Sequence, residues 1–136
     1  MDYTIKQVSE ITGLSASTLR YYEKEQLIPD VERNISGIRV YTEHDLEWIS
    51  IITCLKNTDM PLKDIKKFVN LCALGDSTLE ERRQMVLSHK KNVESKISEL
   101  QHYLEHVNFK ANYYEAACKL GTESELKKLK YPNNFI

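Results

Sequence analysis

The stretch SASTLRYYEKEQL, residues 15–27, decides the fold because it is a short helix with a defined start and two unlike faces. Ser15 carries a hydroxyl that can accept hydrogen bonds from the free N–H groups at a helix start. Leu19 and Tyr22 are three positions apart and can point inward together. The side chains on the other faces are Arg20, Tyr21 and Lys24. We therefore expect a helix that buries one face and presents cations and an aromatic ring on the other.

A second short helix precedes this stretch. In TIKQ, residues 4–7, the threonine hydroxyl and the glutamine three residues later form a capping-box pattern. Val8 and Ile11 then supply an apolar face, and Gly13 ends the helix as a C-terminal glycine does. Because the connection between the two helices is as short as the turn of a helix-turn-helix, the sequence predicts that motif.

A hairpin is predicted after these helices, in RNISGIRVY, residues 33–41. Ser36 and Gly37 favour a turn, whereas Val40 and Tyr41 favour a strand. A two-stranded hairpin beside a helix-turn-helix is a wing.

Two further helices complete the first half of the chain. TEHD, residues 42–45, is a capping signal for a helix that runs to about Asn57, and Pro61 occupies a position where the next helix can begin. Gly75 closes this half. The apolar positions at helical spacing are Leu46, Ile49, Ile52 and Leu55, then Leu62, Ile65, Phe68 and Val69. We therefore predict a mainly α fold with a winged helix-turn-helix domain over residues 1–75.

Residues 76–120 carry a seven-residue repeat that predicts a long dimerisation helix. The d positions are Leu79, Val86, Val93, Leu100, Val107 and Tyr114, and the a positions are Arg83, Lys90, Ile97, Leu104, Ala111 and Cys118. One helix cannot bury such a stripe alone, so a second copy of the chain is the expected partner. The expected dimer interface consists of Val93, Ile97, Leu100, Leu104, Val107, Ala111 and Tyr114. The tail, residues 121–136, is expected to fold back through Leu126, Leu129 and Phe135.

Charge and composition limit the functions that the chain can have. Its 136 residues have a net charge of −1, and neither residues 1–75 (nine Lys/Arg, eleven Asp/Glu) nor residues 76–136 (ten and nine) are basic overall. DNA contact therefore has to come from local placement of a few cations. The sequence contains no nucleophile–base set and no phosphate loop, so we expect neither an enzyme nor a bound cofactor. No apolar run approaches the ~20 residues of a membrane span, and MDYTIKQ is no signal peptide, so a cytoplasmic location is expected.

These residues, in this order, resemble the MerR family of bacterial transcriptional regulators over residues 3–73. The positions that carry the resemblance are Ser15, Thr18–Lys24, Leu27–Pro29, Arg33, Asn34, Gly37, Arg39, Tyr41, Asp45 and Leu46. Two positions depart from it. Gln26 stands where the family usually has glycine, so we expect a slightly altered turn before Leu27, and Ile38 stands where the family often has an aromatic residue, so we expect a weaker wing contact there.

The resemblance implies an antiparallel coiled-coil homodimer on double-stranded promoter DNA. It further implies an over-long spacer between the −35 and −10 elements, activation by bending and untwisting of that spacer, and RNA polymerase as a partner at the same promoter. Carried over by motif, the expected DNA-binding residues are Ser15, Thr18, Arg20, Tyr21, Lys24, Arg39, Tyr41 and Lys63. Tyr22 is expected in the core, and Lys24 has the alternative of being a solvated helix charge.

Cys54 is the candidate sensor. It groups on its helix with polar residues, away from the apolar stripe, and an exposed thiolate is a nucleophile toward aldehydes and oxidants. Its setting in IITCLKN resembles the AdhR/NmlR-like aldehyde- and thiol-stress branch of the family. The alternative is that Cys54 packs silently between helices. We expect Cys72 in the core and Cys118 as a packing residue of the coiled coil.

Other ligands and functions remain alternatives at this point. A thiophilic metal ion needs two or more thiolates, but the C-terminal region offers only Cys118, and His102 and His106 lie at outward heptad positions, so no metal site is expected. The aromatic residues Tyr103, Phe109, Tyr113 and Tyr114 could line a site for a drug-like ligand or simply cap the dimer core. From another class of function, the chain could be a non-catalytic coiled-coil scaffold.

Overall fold

The computed structural model describes residues 1–128 and confirms a mainly helical chain with a small wing. The helices are α1 (Ile5–Thr12), α2 (Ala16–Lys24), α3 (Glu43–Asn57), α4 (Leu62–Ala73) and α5 (Leu79–Leu120), with 3-10 turns at Asp76–Thr78 and Leu126–Lys128. The strands are β1 (Glu32–Arg33) and β2 (Arg39–Val40). Of the residues expected to fold the tail back, Leu129 and Phe135 lie outside the described residues.

The helix starts follow the predicted caps. Thr4 Oγ1 accepts from the Gln7 N–H at 3.1 Å while Gln7 Oε1 accepts from the Thr4 N–H at 2.8 Å. The same reciprocal pair joins Thr42 and Asp45 at the start of α3, at 3.2 and 2.9 Å. Ser15 Oγ accepts from the Thr18 N–H at 3.1 Å and so opens α2. Because a cap satisfies N–H groups that the helix leaves free, worth about 1 kcal/mol each, these side chains fix where the helices begin.

The first compact unit, Met1–Leu87, has a single apolar core to which each of the first four helices and the wing contribute. Its buried members are Val8, Leu19, Tyr22, Leu27, Ile28, Val31, Tyr41, Ile49, Ile52, Met60 and Ile65. Leu46 and Leu55, expected in the buried stripe of α3, pack against this core while half-buried. Burying one such side chain stabilises the fold by about 1.5–3 kcal/mol, so the two short helices of the helix-turn-helix depend on this packing.

The wing is a two-stranded antiparallel hairpin with Glu32 opposite Val40 and Arg33 opposite Arg39. An additional backbone bridge, which the sequence did not indicate, attaches the N-terminal segment to its base. The Tyr3 N–H donates to the Tyr41 carbonyl at 2.8 Å, and the Tyr41 N–H donates to the Tyr3 carbonyl at 2.9 Å. The N-terminal segment is therefore hydrogen-bonded to the base of the hairpin.

The second compact unit begins at Ser88 and contains most of α5. This helix has 42 residues, which corresponds to about 63 Å at about 1.5 Å per residue. In the single chain the expected interface residues lie on the surface: Leu100 is 67% exposed, Val107 61% and Leu104 54%. Val93 alone among the seven is half-buried. Within residues 1–128, the apolar stripe of α5 is therefore left uncovered over most of these positions.

A left-handed residue ends α2. Gln26 has φ +58°, and the hydrogen bonds around it are those of a Schellman motif: Gln26 N–H to the Glu23 carbonyl at 3.1 Å, and Leu27 N–H to the Tyr22 carbonyl at 2.9 Å. We expected an altered turn here because glycine was absent. The chain instead retains the conformation that glycine favours, and the Gln26 backbone bears the steric cost.

Replacing Gln26 by glycine should therefore stabilise the protein. We expect Gln26→Gly to raise the free energy of unfolding by about 0.5–1 kcal/mol, because relief of the left-handed strain exceeds the extra entropy that glycine loses on folding. Thermal and denaturant unfolding followed by circular dichroism would measure the change. Gly13→Ala is the matched control: Gly13 has φ +76° and open space where an alanine Cβ would lie, so the strain alone should lower stability by about 1 kcal/mol. A destabilised Gln26→Gly protein would contradict this account.

Candidate nucleic-acid interface

An open cleft of about 630 Å³ lies between α2 and the wing. Its lining residues are Arg20, Glu23, Lys24, Gln26, Asp30, Val31, Arg33 and Arg39. Four of these carry positive charge and two carry negative charge, although residues 1–75 as a whole are acidic. The fold thus collects scattered cations at one place, where they can attract a polyanion.

The outward face of α2 is directed as the sequence predicted. Arg20, Tyr21 and Lys24 are exposed, whereas Leu19 and Tyr22 are buried. Arg20 and Lys24 both line the cleft. A short helix with this face is suited to entering the major groove of DNA, where arginine can bind guanine edges and phosphates.

Ser15 and Thr18 act at the start of α2. In addition to the cap, their hydroxyl oxygens are 2.9 Å apart and share a hydrogen bond. Ser15 is exposed and Thr18 is half-buried. They therefore hold the helix N-terminus, where backbone N–H groups point outward, and any DNA contact by their side chains remains a prediction.

Glu23 is a residue of the interface that sequence reasoning missed. Its Oε1 accepts from Arg39 Nε at 3.0 Å, and its Oε2 accepts from the Val31 N–H at 2.9 Å. The two side chains of the ion pair are only 22% (Arg39) and 15% (Glu23) exposed. Hence Arg39, which we expected to bind DNA, joins the wing to α2, and part of its charge is already neutralised.

Tyr41 requires a correction. We expected it to contact DNA from the wing, but its side chain is fully buried in the core. Burial raises the pKa of its phenol, which has no hydrogen-bond partner within the described chain. Tyr41 therefore supports the base of the wing from inside, and its side chain is not a surface that DNA can reach.

Two lysines from other helices hold the outer end of α2. Lys56 Nζ of α3 lies 5.6 Å from the ring centroid of Tyr21 and 5.4 Å from that of Tyr22, within cation–π range. Lys66 Nζ of α4 is 2.6 Å from Glu25 Oε2, and this hydrogen bond lowers the pKa of the Glu25 carboxyl. The sequence could not reveal the second contact because Lys66 and Glu25 are 41 positions apart along the chain.

The remaining predicted residues lie elsewhere. Lys63 is exposed in the first turn of α4 and is not among the residues that line the cleft. Cys54 is exposed on α3. Cys72, expected in the core, is only half-buried, with Arg82 Nη1 3.9 Å from its sulfur. Cys118 is exposed in the single chain.

Within residues 1–128, no group of three or more His, Cys, Asp or Glu side chains is arranged to hold a metal ion. Over the same residues, no helix is both long and apolar enough to cross a lipid bilayer.

Family models match most of the chain. The model described as "MerR HTH family regulatory protein" matches residues 3–71, and the model described as "MerR, DNA binding" matches residues 46–108. An HTH-type transcriptional regulator of Haemophilus influenzae is 45% identical over 122 residues, which cover 90% of each chain. The HTH-type transcriptional regulator AdhR of Bacillus subtilis is 39% identical over 89 residues, covering 65% of this chain and 64% of AdhR.

The fold is also similar to that of solved structures. HiNmlR, a MerR family regulator lacking the sensor domain and bound to promoter DNA, aligns with a TM-score of 0.90 at 42% identity, covering 97% of this chain and all of HiNmlR. A putative MerR family regulator from Listeria monocytogenes aligns with a TM-score of 0.77 at 31% identity, covering 92% and 94% of the two chains. These relatives are transcriptional regulators, which confirms the expectation that the chain is not an enzyme.

Two substitutions separate the structural role of the Glu23 contacts from the effect of the negative charge of Glu23. Glu23→Ala and Asp30→Ala each remove one negative charge from the cleft, but only the first also removes the contacts that hold Arg39 and the Val31 N–H against α2. We expect Glu23→Ala to weaken promoter binding about tenfold, since a lost hydrogen bond to a charged group costs about 1.5–3 kcal/mol. Asp30→Ala should bind equally well or slightly more tightly. Fluorescence anisotropy with labelled duplex would measure both affinities, and tighter binding by Glu23→Ala would show that charge dominates.

Proposed function

Since this chain belongs to the MerR family of DNA-binding transcriptional regulators, we propose that it acts as a homodimer on promoter DNA with an over-long spacer. Binding bends and untwists that spacer, so that RNA polymerase can engage both promoter elements. The protein acts in the cytoplasm, where promoter DNA and the polymerase are located. The domains are the winged helix-turn-helix (residues 1–75), the dimerisation helix (76–120) and the tail (121–136).

The cationic cleft between α2 and the wing is the observation that carries the proposal for DNA. A scaffold built on α5 would not need Arg20, Lys24 and Arg33 gathered beside an exposed helix face. If one phosphate strand of the DNA occupied this cleft, α2 would lie in the groove beside that strand.

The proposal of a homodimer is supported by α5. Its apolar stripe is exposed over several turns, and the burial of each such side chain against a second copy stabilises an assembly by about 1.5–3 kcal/mol. The seven-residue spacing is suited to a helical partner. The antiparallel sense is what the family resemblance implies, and a symmetric dimer would present two copies of α2 to successive major grooves about 34 Å apart.

Arg20 provides the test of DNA recognition. We expect Arg20→Ala to weaken binding to the DNA upstream of the protein's own gene about tenfold or more, because a good arginine–base contact is worth about 1–3 kcal/mol. Arg83→Ala is the matched control: Arg83 lies on α5, paired with Glu80, outside the cleft. Anisotropy titrations at several salt concentrations would measure affinity. Equal binding by both variants and wild type would contradict the assignment of α2 as the recognition helix.

We also propose that Cys54 senses aldehydes or other thiol-reactive electrophiles. Its side chain is exposed on α3, and its thiolate can attack an aldehyde carbon. A C–S bond forms, the carbonyl π electrons move to oxygen, and oxygen takes up a proton to give a hemithioacetal. Lys56, two residues farther along α3, contacts the rings of Tyr21 and Tyr22. A change at this end of α3 can therefore be transmitted to the recognition helix.

A ligand site at the aromatic end of α5 is the second candidate for sensing. Tyr113 and Tyr114 stack edge to face with centroids 5.1 Å apart, and Lys110 Nζ lies 4.9 Å from the Tyr113 ring centroid. The Tyr113 hydroxyl donates to Glu123 Oε1 at 3.1 Å. These contacts already engage the Tyr113 hydroxyl and one face of its ring, so they favour packing over ligand binding.

In vitro transcription from the same upstream promoter would test the sensor, with formaldehyde as the probe. Wild type and the control Cys118→Ser should respond to formaldehyde. Cys54→Ser should bind the promoter with unchanged affinity and lose the response. A Cys54→Ser protein that responds like wild type would rule out Cys54 and direct attention to Tyr113 and Tyr114.

A further inference from the structure

One arginine side chain holds the connection between α4 and α5. Arg82 Nη2 donates to the Gly75 carbonyl at 3.0 Å, and Arg82 Nε donates to Thr78 Oγ1 at 3.0 Å. Its Nη1 lies 3.9 Å from the sulfur of Cys72, which belongs to the last turn of α4. The planar guanidinium has several donors in fixed directions, so it can make such contacts at the same time. Arg82 therefore bridges the end of α4, the turn that follows it and the first turn of α5.

The connection that Arg82 bridges contains a glycine in an unusual conformation. Gly75 has φ +84° and ψ −158°, a region of backbone space that is essentially restricted to glycine. Because glycine has more backbone freedom than any other residue, this connection can act as a hinge unless other contacts fix it. Thr78 supplies a second fixed point: it is only 8% exposed, and its hydroxyl donates to the Leu71 carbonyl at 2.6 Å. Arg82 and Thr78 together thus fasten the connection to the end of α4.

The next arginine along the chain is used differently. Arg83 Nε and Nη2 donate to the two carboxylate oxygens of Glu80 at 3.0 and 2.9 Å, within α5 itself. Both side chains of this pair are more than 60% exposed, and such surface pairs contribute little to stability. Two adjacent arginines of equal charge therefore differ in one respect: Arg82 acts across the α4–α5 connection and Arg83 acts along α5.

We propose that Arg82 is a positioning residue that sets which spacing of DNA half-sites the dimer accepts. This inference rests on the proposed function, because it needs a homodimer joined through α5. Since α4 belongs to the DNA-binding domain and α5 is one uninterrupted helix, a firm α4–α5 connection holds the two copies of α2 to one separation. A firm dimer makes the DNA deform to fit it, at an energy that depends on the DNA. A hinged dimer would instead adapt to the DNA and leave the spacer undistorted.

Binding of the full-length protein to duplexes of different spacing tests this role. The probes are the duplex upstream of the protein's own gene and two derivatives that lack one or two base pairs at its centre of symmetry. Each missing base pair turns one half-site by about 35° around the duplex axis, so wild type should prefer the natural duplex. We expect Arg82→Ala to reduce the ratio of natural to shortened affinities about threefold to tenfold, and Arg83→Ala to keep the wild-type ratio. Fluorescence anisotropy would measure each affinity.

A second pair of variants separates positioning from folding. Thr78→Val removes the hydroxyl that Arg82 contacts and should lower the affinity ratio as Arg82→Ala does, whereas Thr78→Ser retains the hydroxyl and should restore the wild-type ratio. If circular dichroism shows that Arg82→Ala does not fold, Arg82→Lys takes its place, because it keeps the charge but cannot reach all three partners.

A wild-type ratio in the folded Arg82 variant, or an equal fall in Arg83→Ala, would overturn the inference while leaving DNA binding intact. A fall in Thr78→Ser as large as that in Thr78→Val would also overturn it, since the hydroxyl contact would then not matter. Failure of wild type to bind the natural duplex would instead overturn the proposed function, and this inference with it.

Discussion

The interface depends on the ion pair and the hydrogen bond that the carboxylate of Glu23 makes. This carboxylate accepts hydrogen bonds from the Arg39 side chain of β2 and from the Val31 N–H just before β1, so one acid connects α2 to both sides of the hairpin. Without it, the wing would be attached through its core residues and the backbone bridge to Tyr3. The pair lies in a mostly buried setting, where a lost partner leaves an uncompensated charge. The position of the cleft cations therefore depends on a residue whose own charge opposes DNA.

A second constraint is that the two halves of the chain differ in how much of their apolar surface is buried. The first unit buries a cluster of eleven apolar side chains within itself. Over α5, by contrast, Leu100, Leu104 and Val107 are more than half exposed. Burial of such a stripe against a second copy stabilises the helix, so the proposed homodimer would link the folding of this half to dimerisation. In that homodimer, the affinity for DNA would depend on the concentration of the protein.

Local signals in the sequence predicted most of the fold. The caps at Thr4, Ser15 and Thr42 lie where the sequence placed them because a cap involves only neighbouring residues. The role of Tyr41 was mistaken because its motif position says which element it belongs to, whereas its side-chain direction depends on the core. Glu23 was missed because its partner Arg39 is 16 positions away, a pairing that only the tertiary fold creates.

The neutrality of the chain has a consequence for how a regulator finds its target. The net charge is −1, and four of the nine Lys and Arg residues in the first 75 positions line one cleft. Non-specific attachment to DNA is almost wholly electrostatic, and a genome offers an immense excess of competing sites. A uniformly basic protein would be sequestered on them. A nearly neutral chain is attracted less strongly to bulk DNA, so a larger share of its molecules stays free to occupy the operator.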